Sequence, residues 1–164
     1  MENLTVTLVN RNIAPYVAIG VYLIDQWRQI GVKAEHQQVE LANWYNALNN
    51  GNFDAIVDSY TDHSDDPTTG LVKFMSQDKF PMASSRFDDP ELENLYAQQW
   101  RATNRTERLK VLRAFERRSL EQAYSVPLLW WWRIVVTSDR LNGWTMSPSH
   151  MIYQDLSTVW LTPQ

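Results

Sequence analysis

Residues 4–40 read as a strand, a helix and a second strand, and that order admits few folds. Leu4-Thr-Val-Thr-Leu-Val9 mixes apolar residues with threonine and is rich in β-branched side chains, which suits a strand in the middle of a sheet. After an Asn-rich turn at 10–12, Pro15 stands where a first helical turn tolerates it. Tyr16, Ile19, Leu23, Trp27 and Ile30 then recur at three- and four-residue spacing, as on one face of a helix, until Gly31 stops it. Val32 to Glu40 is again extended. Two strands joined by such a helix are expected to be parallel with a right-handed crossover, so the chain opens as an α/β fold.

The pattern continues with a short helix from Leu41 to Asn50, closed by Gly51, whose apolar positions are Leu41, Trp44, Tyr45 and Leu48. Phe53 to Tyr60 reads as a third strand. From Thr61 to Pro90 the sequence turns polar and rich in Asp, Ser and Pro, with only a weak helix near 68–75; a connection this long inside a domain is usually functional. Pro90 begins a helix to about Thr103, with Leu92, Leu95, Tyr96 and Trp100 inward. Asn104 and Glu107 form a capping box for a further helix to about Ala123. Leu109, Leu112 and Phe115 form its apolar stripe, extended by Ser119 and Ala123, while its arginines, Arg108 and Arg118 among them, fall mostly on the wet face. Val126 to Val136 is expected to be a strand, followed by an Asn142-Gly143 turn and an irregular tail.

Charge and composition remove several functional classes. With 15 basic against 19 acidic side chains and a net charge of −4, there is no electrostatic footprint for nucleic acid. The apolar stretches are too short to span a bilayer. Glu2 and a strand pattern follow Met1 without the basic start and apolar middle of a secretory signal, so the reading is either a cytoplasmic protein or a shortened exported one. Zero cysteines remove disulfides and thiolate metal sites. No nucleophile elbow and no glycine-rich phosphate loop occur.

The densest polar constellation, Asp58, Asp62, His63, Asp65 and Asp66, follows the third strand, where open α/β sheets place their ligand crevices. A calcium loop starting at Asp62 fails, because Pro67 and Lys73 stand where the turning Gly and the bidentate Glu belong. Asp66 beside Pro67 is better read as a helix cap, which leaves Asp62 and His63 as candidate ligand contacts. Trp130-Trp131-Trp132 cannot all face one side of a strand, so they are either sheet core on both faces or an aromatic wall against a ligand or another protein part. Arg133 could pair a ligand carboxylate or a structural partner. His36 and His150 read as structural histidines.

The order of these pieces carries a resemblance: a helix ending Gln29-Ile-Gly-Val-Lys-Ala-Glu35, a short helix ending Asn50-Gly-Asn-Phe-Asp-Ala55, and a strand entering Asp65-Asp-Pro67. Pro90-Glu-Leu-Glu-Asn-Leu-Tyr96, the 104–123 helix, Ser125-Val-Pro-Leu-Leu-Trp-Trp-Trp132 and Leu141-Asn-Gly-Trp144 follow in turn. The chain resembles the C-terminal half of family 5 extracellular solute-binding proteins, the dipeptide, oligopeptide and nickel-type receptors of bacterial ABC importers.

That resemblance implies a type II periplasmic-binding-protein-like lobe with a mixed, mostly parallel sheet flanked by helices. Residues 1–139 would form the C-terminal α/β lobe, and 140–164 a tail returning to a missing N-terminal lobe. Such receptors close two lobes around a solute without chemistry, cofactor or metal, and hand it to a membrane permease outside the cytoplasm. Counting back from Pro67 against the family's Gly-Trp-x-x-Asp-Tyr-x-Asp-Pro run, Tyr60 takes the aromatic place and His63 the place of the ammonium-binding Asp, with Asp62 one residue earlier. Tyr60, Asp62, His63, Trp130, Trp132 and Arg133 are thus the expected ligand-binding residues. The alternative is a small metal-dependent or carboxylate-based hydrolase centred on Asp58–Asp66.

Overall fold

In the computed structural model, which describes residues 4–59, 66–80, 83, 85–132, 134–147 and 155–163, the first strand is the spine of a parallel sheet. β1 (Thr5–Arg11) lies between β2 (Lys33–Val39) and β3 (Ala55–Ile56), in the order β2-β1-β3. Thr5 pairs with Lys33 at one end and Arg11 with Val39 at the other, while Leu8 and Val9 pair with Ala55 and Ile56. A central strand is covered on both faces, which is why Leu8, Val9 and Asn10 are all buried although their side chains alternate. The strand runs through Asn10 and Arg11, two residues into the stretch expected to turn.

α1 (Ala14–Gln29) and α2 (Leu41–Asn50) connect the strands. β1 leads to β2 on one side and β2 leads back past β1 to β3 on the other; right-handed crossovers in these two directions put α1 and α2 on opposite faces. Trp44 is the buried anchor of α2 and donates its indole N–H to the Val57 carbonyl at 3.2 Å. Leu41 and Tyr45, expected on the same stripe, are half exposed.

α1 meets the sheet at Gly20. A Cβ there would collide with the His36 ring and lie 2.8 Å from Asn10 Oδ1, the two groups that hydrogen-bond each other beneath the helix. Burial holds the His36 pKa below its ordinary value, consistent with a neutral ring between Asn10 and Gln38. Gly20→Ala is therefore expected to destabilise the protein by about 1–2 kcal/mol, although alanine is the better helix former by about 1 kcal/mol. Urea denaturation of this variant decides which term wins; a stabilised protein would mean the helix shifts without cost.

The described contacts divide the chain into two compact units, Met1–Tyr60 and Thr61–Gln164. The second contains α3 (Thr68–Leu71) with a 3-10 turn at Val72–Phe74, α4 (Pro90–Arg101) and α5 (Arg105–Glu121). Met75, Ala83, Leu92 and Phe115 are its buried apolar centre, ringed by Leu71, Phe74, Phe80, Leu95, Tyr96 and Tyr124. Asn104 caps α5 as expected, accepting the Glu107 N–H at 2.9 Å. Asp89 caps α4, accepting from the N–H groups of Glu91 and Leu92 at 3.0 and 3.3 Å, with Pro90 in the first turn.

Three expectations need correction. Trp100 is not inward but 66% exposed, because the buried face of α4 runs through Leu92, Leu95, Tyr96 and Gln99. Arg108 and Arg118 are not simply wet: each is paired with a carboxylate, Asp66 and Asp89 respectively. Val126 to Val136 forms no strand among the described residues; the segment has no partner ladder, and Val126, Ile134 and Val136 are all largely exposed. A strand pattern specifies a conformation that can pair, but the ladder needs a second strand.

Beyond that segment, β4 (Leu141–Asn142) pairs antiparallel with β5 (Trp160–Leu161). The expected turn follows β4 at Gly143, whose φ of +73° is left-handed and whose missing Cβ admits the Thr158 carbonyl.

Candidate functional site

Of the expected ligand contacts, Tyr60, Asp62, His63 and Arg133 lie outside the described residues. The groups flanking the 60–65 stretch are well defined. On one side the Ser59 N–H donates to Asp58 Oδ1 at 2.7 Å, and Arg11 Nη2 donates to Ser59 Oγ at 2.9 Å. On the other, Asp66 Oδ1 accepts the Thr68 N–H at 2.9 Å, which makes Asp66 the helix-entry acceptor expected from its place beside Pro67.

Asp66 also belongs to a polar cluster that links α3, α4 and α5. Arg108 Nη2 donates to Asp66 Oδ1 at 2.7 Å and to Thr68 Oγ1 at 2.8 Å, and Arg108 Nε donates to Gln99 Oε1 at 3.0 Å. Thr68 Oγ1 in turn donates to the same Gln99 oxygen at 3.3 Å. The Arg108 guanidinium, with the Thr68 bonds, holds the Asp66 carboxyl far below the usual carboxylate range. Paired in this way, Asp66 is a fixed negative charge at the end of the loop rather than a proton carrier near neutral pH. An open cavity of about 490 Å³ adjoins the cluster, lined in part by Tyr96, Trp100 and Val72.

Trp130 and Trp132 stand 93% and 89% exposed, with Trp131 less so at 56%. This is the alternation of an extended segment, and it removes the sheet-core alternative for Trp130 and Trp132. They are available as an aromatic wall. Among the described residues no group of three or more His, Cys, Asp or Glu side chains could hold a metal ion.

Sequence reading overlooked Arg11, Gln99 and the two arginine clasps. Gln99 and Arg108 were legible only as members of helical stripes. Arg11 fell in the stretch expected to turn; the structure places it as the last residue of β1, with its guanidinium against the Tyr16 and Trp44 rings.

Residues 2–81 match the family described as bacterial extracellular solute-binding proteins, family 5, middle region, a stretch that includes the parallel sheet. The α/β architecture is similar to that of solved solute-binding proteins. The Escherichia coli murein tripeptide binding protein MppA aligns at 26% identity with a TM-score of 0.69, over 74% of this chain and 24% of that one. OppA from Burkholderia pseudomallei aligns at 16% identity and a TM-score of 0.79, over 98% of this chain and 31% of that one, and supports the fold alone. NikA from Brucella suis, in complex with Fe(III)-EDTA, aligns at 18% identity and a TM-score of 0.62, over 74% of this chain and 25% of that one, again as fold. The chain thus spans from about a quarter to a third of the length of these relatives. No curated protein sequence matches it.

Proposed function

We propose that this chain is a solute-recognition lobe of the substrate-binding component of a bacterial ABC importer, working outside the cytoplasm and without chemistry. The observation that carries the reading is the family 5 match over residues 2–81, which covers the parallel sheet and the loop leaving its carboxyl edge. The solute is a peptide or another small polar molecule, the class that includes the murein tripeptide of MppA. Tyr60, Asp62, His63 and Arg133 contact it, and Trp130 and Trp132 supply apolar walls.

The exposed apolar run 126–136 supports a second lobe as partner, since so many uncovered large side chains in one segment mark a contact surface. Residues 1–139 then form one lobe and 140–164 return to the other, with a membrane permease as the acceptor of the closed complex. The alternative hydrolase draws no support from the relatives, and Asp66, tied to Arg108, is unsuited to proton transfer.

A calorimetric titration with trialanine tests the reading. The chain alone is expected to bind saturably but weakly, with Kd roughly 100-fold or more above that of a two-lobed receptor, because a shared cleft leaves half the buried surface absent. Asp62→Ala and His63→Ala should weaken binding further, and the peptide should be recovered intact by mass spectrometry. Cleavage of the peptide that is lost in Asp62→Ala would overturn the receptor reading in favour of the hydrolase.

A further inference from the structure

The polar cluster around Arg108 contains one donor that it does not satisfy. Gln99, on α4, is only 2% exposed, and the two ends of its amide are served differently. Oε1 accepts from Arg108 Nε at 3.0 Å and from Thr68 Oγ1 at 3.3 Å, while Nε2 is buried with no hydrogen-bond partner among the described residues. The neighbours set this orientation. Arg108 Nε is a donor only, and the Thr68 hydroxyl already accepts from Arg108 Nη2, so its proton turns to Gln99. Turning the amide over would set an NH2 group against both donors. Nε2 therefore holds two N–H bonds without an acceptor, whereas folded proteins pair the great majority of their buried polar groups.

The same side chain lines the open cavity of about 490 Å³. Tyr96, Gln99 and Trp100 stand at positions i, i+3 and i+4 of α4, so they share one face of the helix, and all three border the cavity. Tyr96 is steadied by an edge-on contact with Phe80, their ring centroids 5.4 Å apart. Trp100 is left largely in water. An exposed indole beside a cavity is a surface that the apolar face of a guest can cover. The charged side chains that line the cavity, Asp66 and Arg108, are paired with each other at 2.7 Å, so a guest meets no unmatched charge from them. One open donor, two aromatic rings and a balanced ion pair together select for a neutral guest.

We propose that this cavity is a binding site for a small neutral molecule that joins a carbonyl acceptor to a planar apolar ring, as an aromatic amide does. The carbonyl oxygen accepts from Gln99 Nε2, and the ring lies against Trp100 and Tyr96. Because Nε2 is covered, seating the carbonyl requires a side-chain adjustment that uncovers it, and Trp100, the less buried of the two rings, is the group with room to move. A carboxylate in the same place would lose its hydration and gain little from Arg108, whose charge Asp66 already balances; an ammonium group has no acceptor to offer. The proposal rests on the second unit alone and is independent of the solute-recognition reading.

The test follows the Gln99 side-chain amide and the Trp100 indole N–H signals of the full chain in 1H-15N correlation spectra. Three probes separate the contributions: N,N-dimethylbenzamide carries ring and carbonyl, N,N-dimethylacetamide the carbonyl alone, and toluene the ring alone. The first is expected to move both signals saturably with a Kd of about 1 mM, and the other two to bind at least about tenfold more weakly, filling less than about a quarter of the sites at about 3 mM. Gln99→Glu keeps an acceptor for Arg108 and Thr68 but has no donor. It should weaken N,N-dimethylbenzamide at least about fivefold, read at the Trp100 indole. Trp100→Ala, at an exposed position, should weaken it about as much, read at the Gln99 amide. Circular dichroism and thermal melts establish that both variants fold. A Gln99 amide signal unmoved at about 20 mM N,N-dimethylbenzamide overturns the site, as does an affinity unchanged in Gln99→Glu. Toluene binding as tightly as N,N-dimethylbenzamide overturns the role given to the carbonyl, and with it the assignment.

Discussion

Asp89→Ala is expected to destabilise the second unit by about 3 kcal/mol, among the largest single-residue effects in this protein. The Asp89 side chain is only 4% exposed, and its carboxylate serves four donors. Oδ1 caps α4 through the Glu91 and Leu92 N–H groups, while Oδ2 accepts from Arg118 Nε at 2.9 Å and the Tyr124 hydroxyl at 3.1 Å. Removing it leaves the Tyr124 hydroxyl without this acceptor, leaves Arg118 only its exposed partner Glu91 at 3.1 Å, and uncaps the helix in one step. Asp89→Asn separates the terms: asparagine still caps, so about half the loss should remain.

The same carboxylate sets an acid response. Burial alone would push its pKa up, but the bonds from Arg118, Leu92, Tyr124 and Glu91 outweigh that and hold it below the ordinary 3.8. A folded-state pKa below the unfolded one means the stabilisation is present above pH 3.8 and is lost as pH falls through the lower folded value. Urea midpoints measured from pH 7 to pH 2.5 should therefore fall more steeply below about pH 4 in the parent than in Asp89→Asn. Parallel curves would assign the acid sensitivity elsewhere, Asp66 being the next candidate.

Phe115→Ala is expected to cost about 3–5 kcal/mol, measured by urea unfolding. Among the described residues the buried apolar centre of this unit comprises Met75, Ala83, Leu92 and Phe115, and Phe115 is its largest member, edge-on to Phe74 with ring centroids 6.5 Å apart. So small a centre has few side chains able to move into the space left behind, which keeps the cavity contribution high. Phe115→Leu should recover most of the loss. An alanine variant destabilised by less than about 1 kcal/mol would show that this centre collapses around the gap.

Local pattern was sufficient where an element could be specified by its own residues. The β1-α1-β2 order, α2, the Asn104 cap and Asp66 beside Pro67 were all legible, because periodicity, caps and glycine stops act over a few residues. The candidate site was legible as a location after the third strand but not as a geometry. Arg11, Gln99, Arg108 and Arg118 are tens of residues from several of the groups they serve, and nothing in a helical stripe distinguishes a solvated arginine from one that clasps a buried carboxylate.

The run 126–136 shows the boundary between the two kinds of information. Its sequence determined a strand-like pattern and a run of three tryptophans; whether those rings are core or surface was decided by the absence of a neighbouring ladder among the described residues. At β1 the reverse holds, since strands on both sides turn the same kind of pattern into a buried spine and leave Arg11 at its open edge. The sequence by itself determined what each segment can form, because backbone propensity and side-chain period are local. Only the tertiary structure decided which faces are covered and which charges are paired, because burial and ion pairing depend on residues distant in the chain.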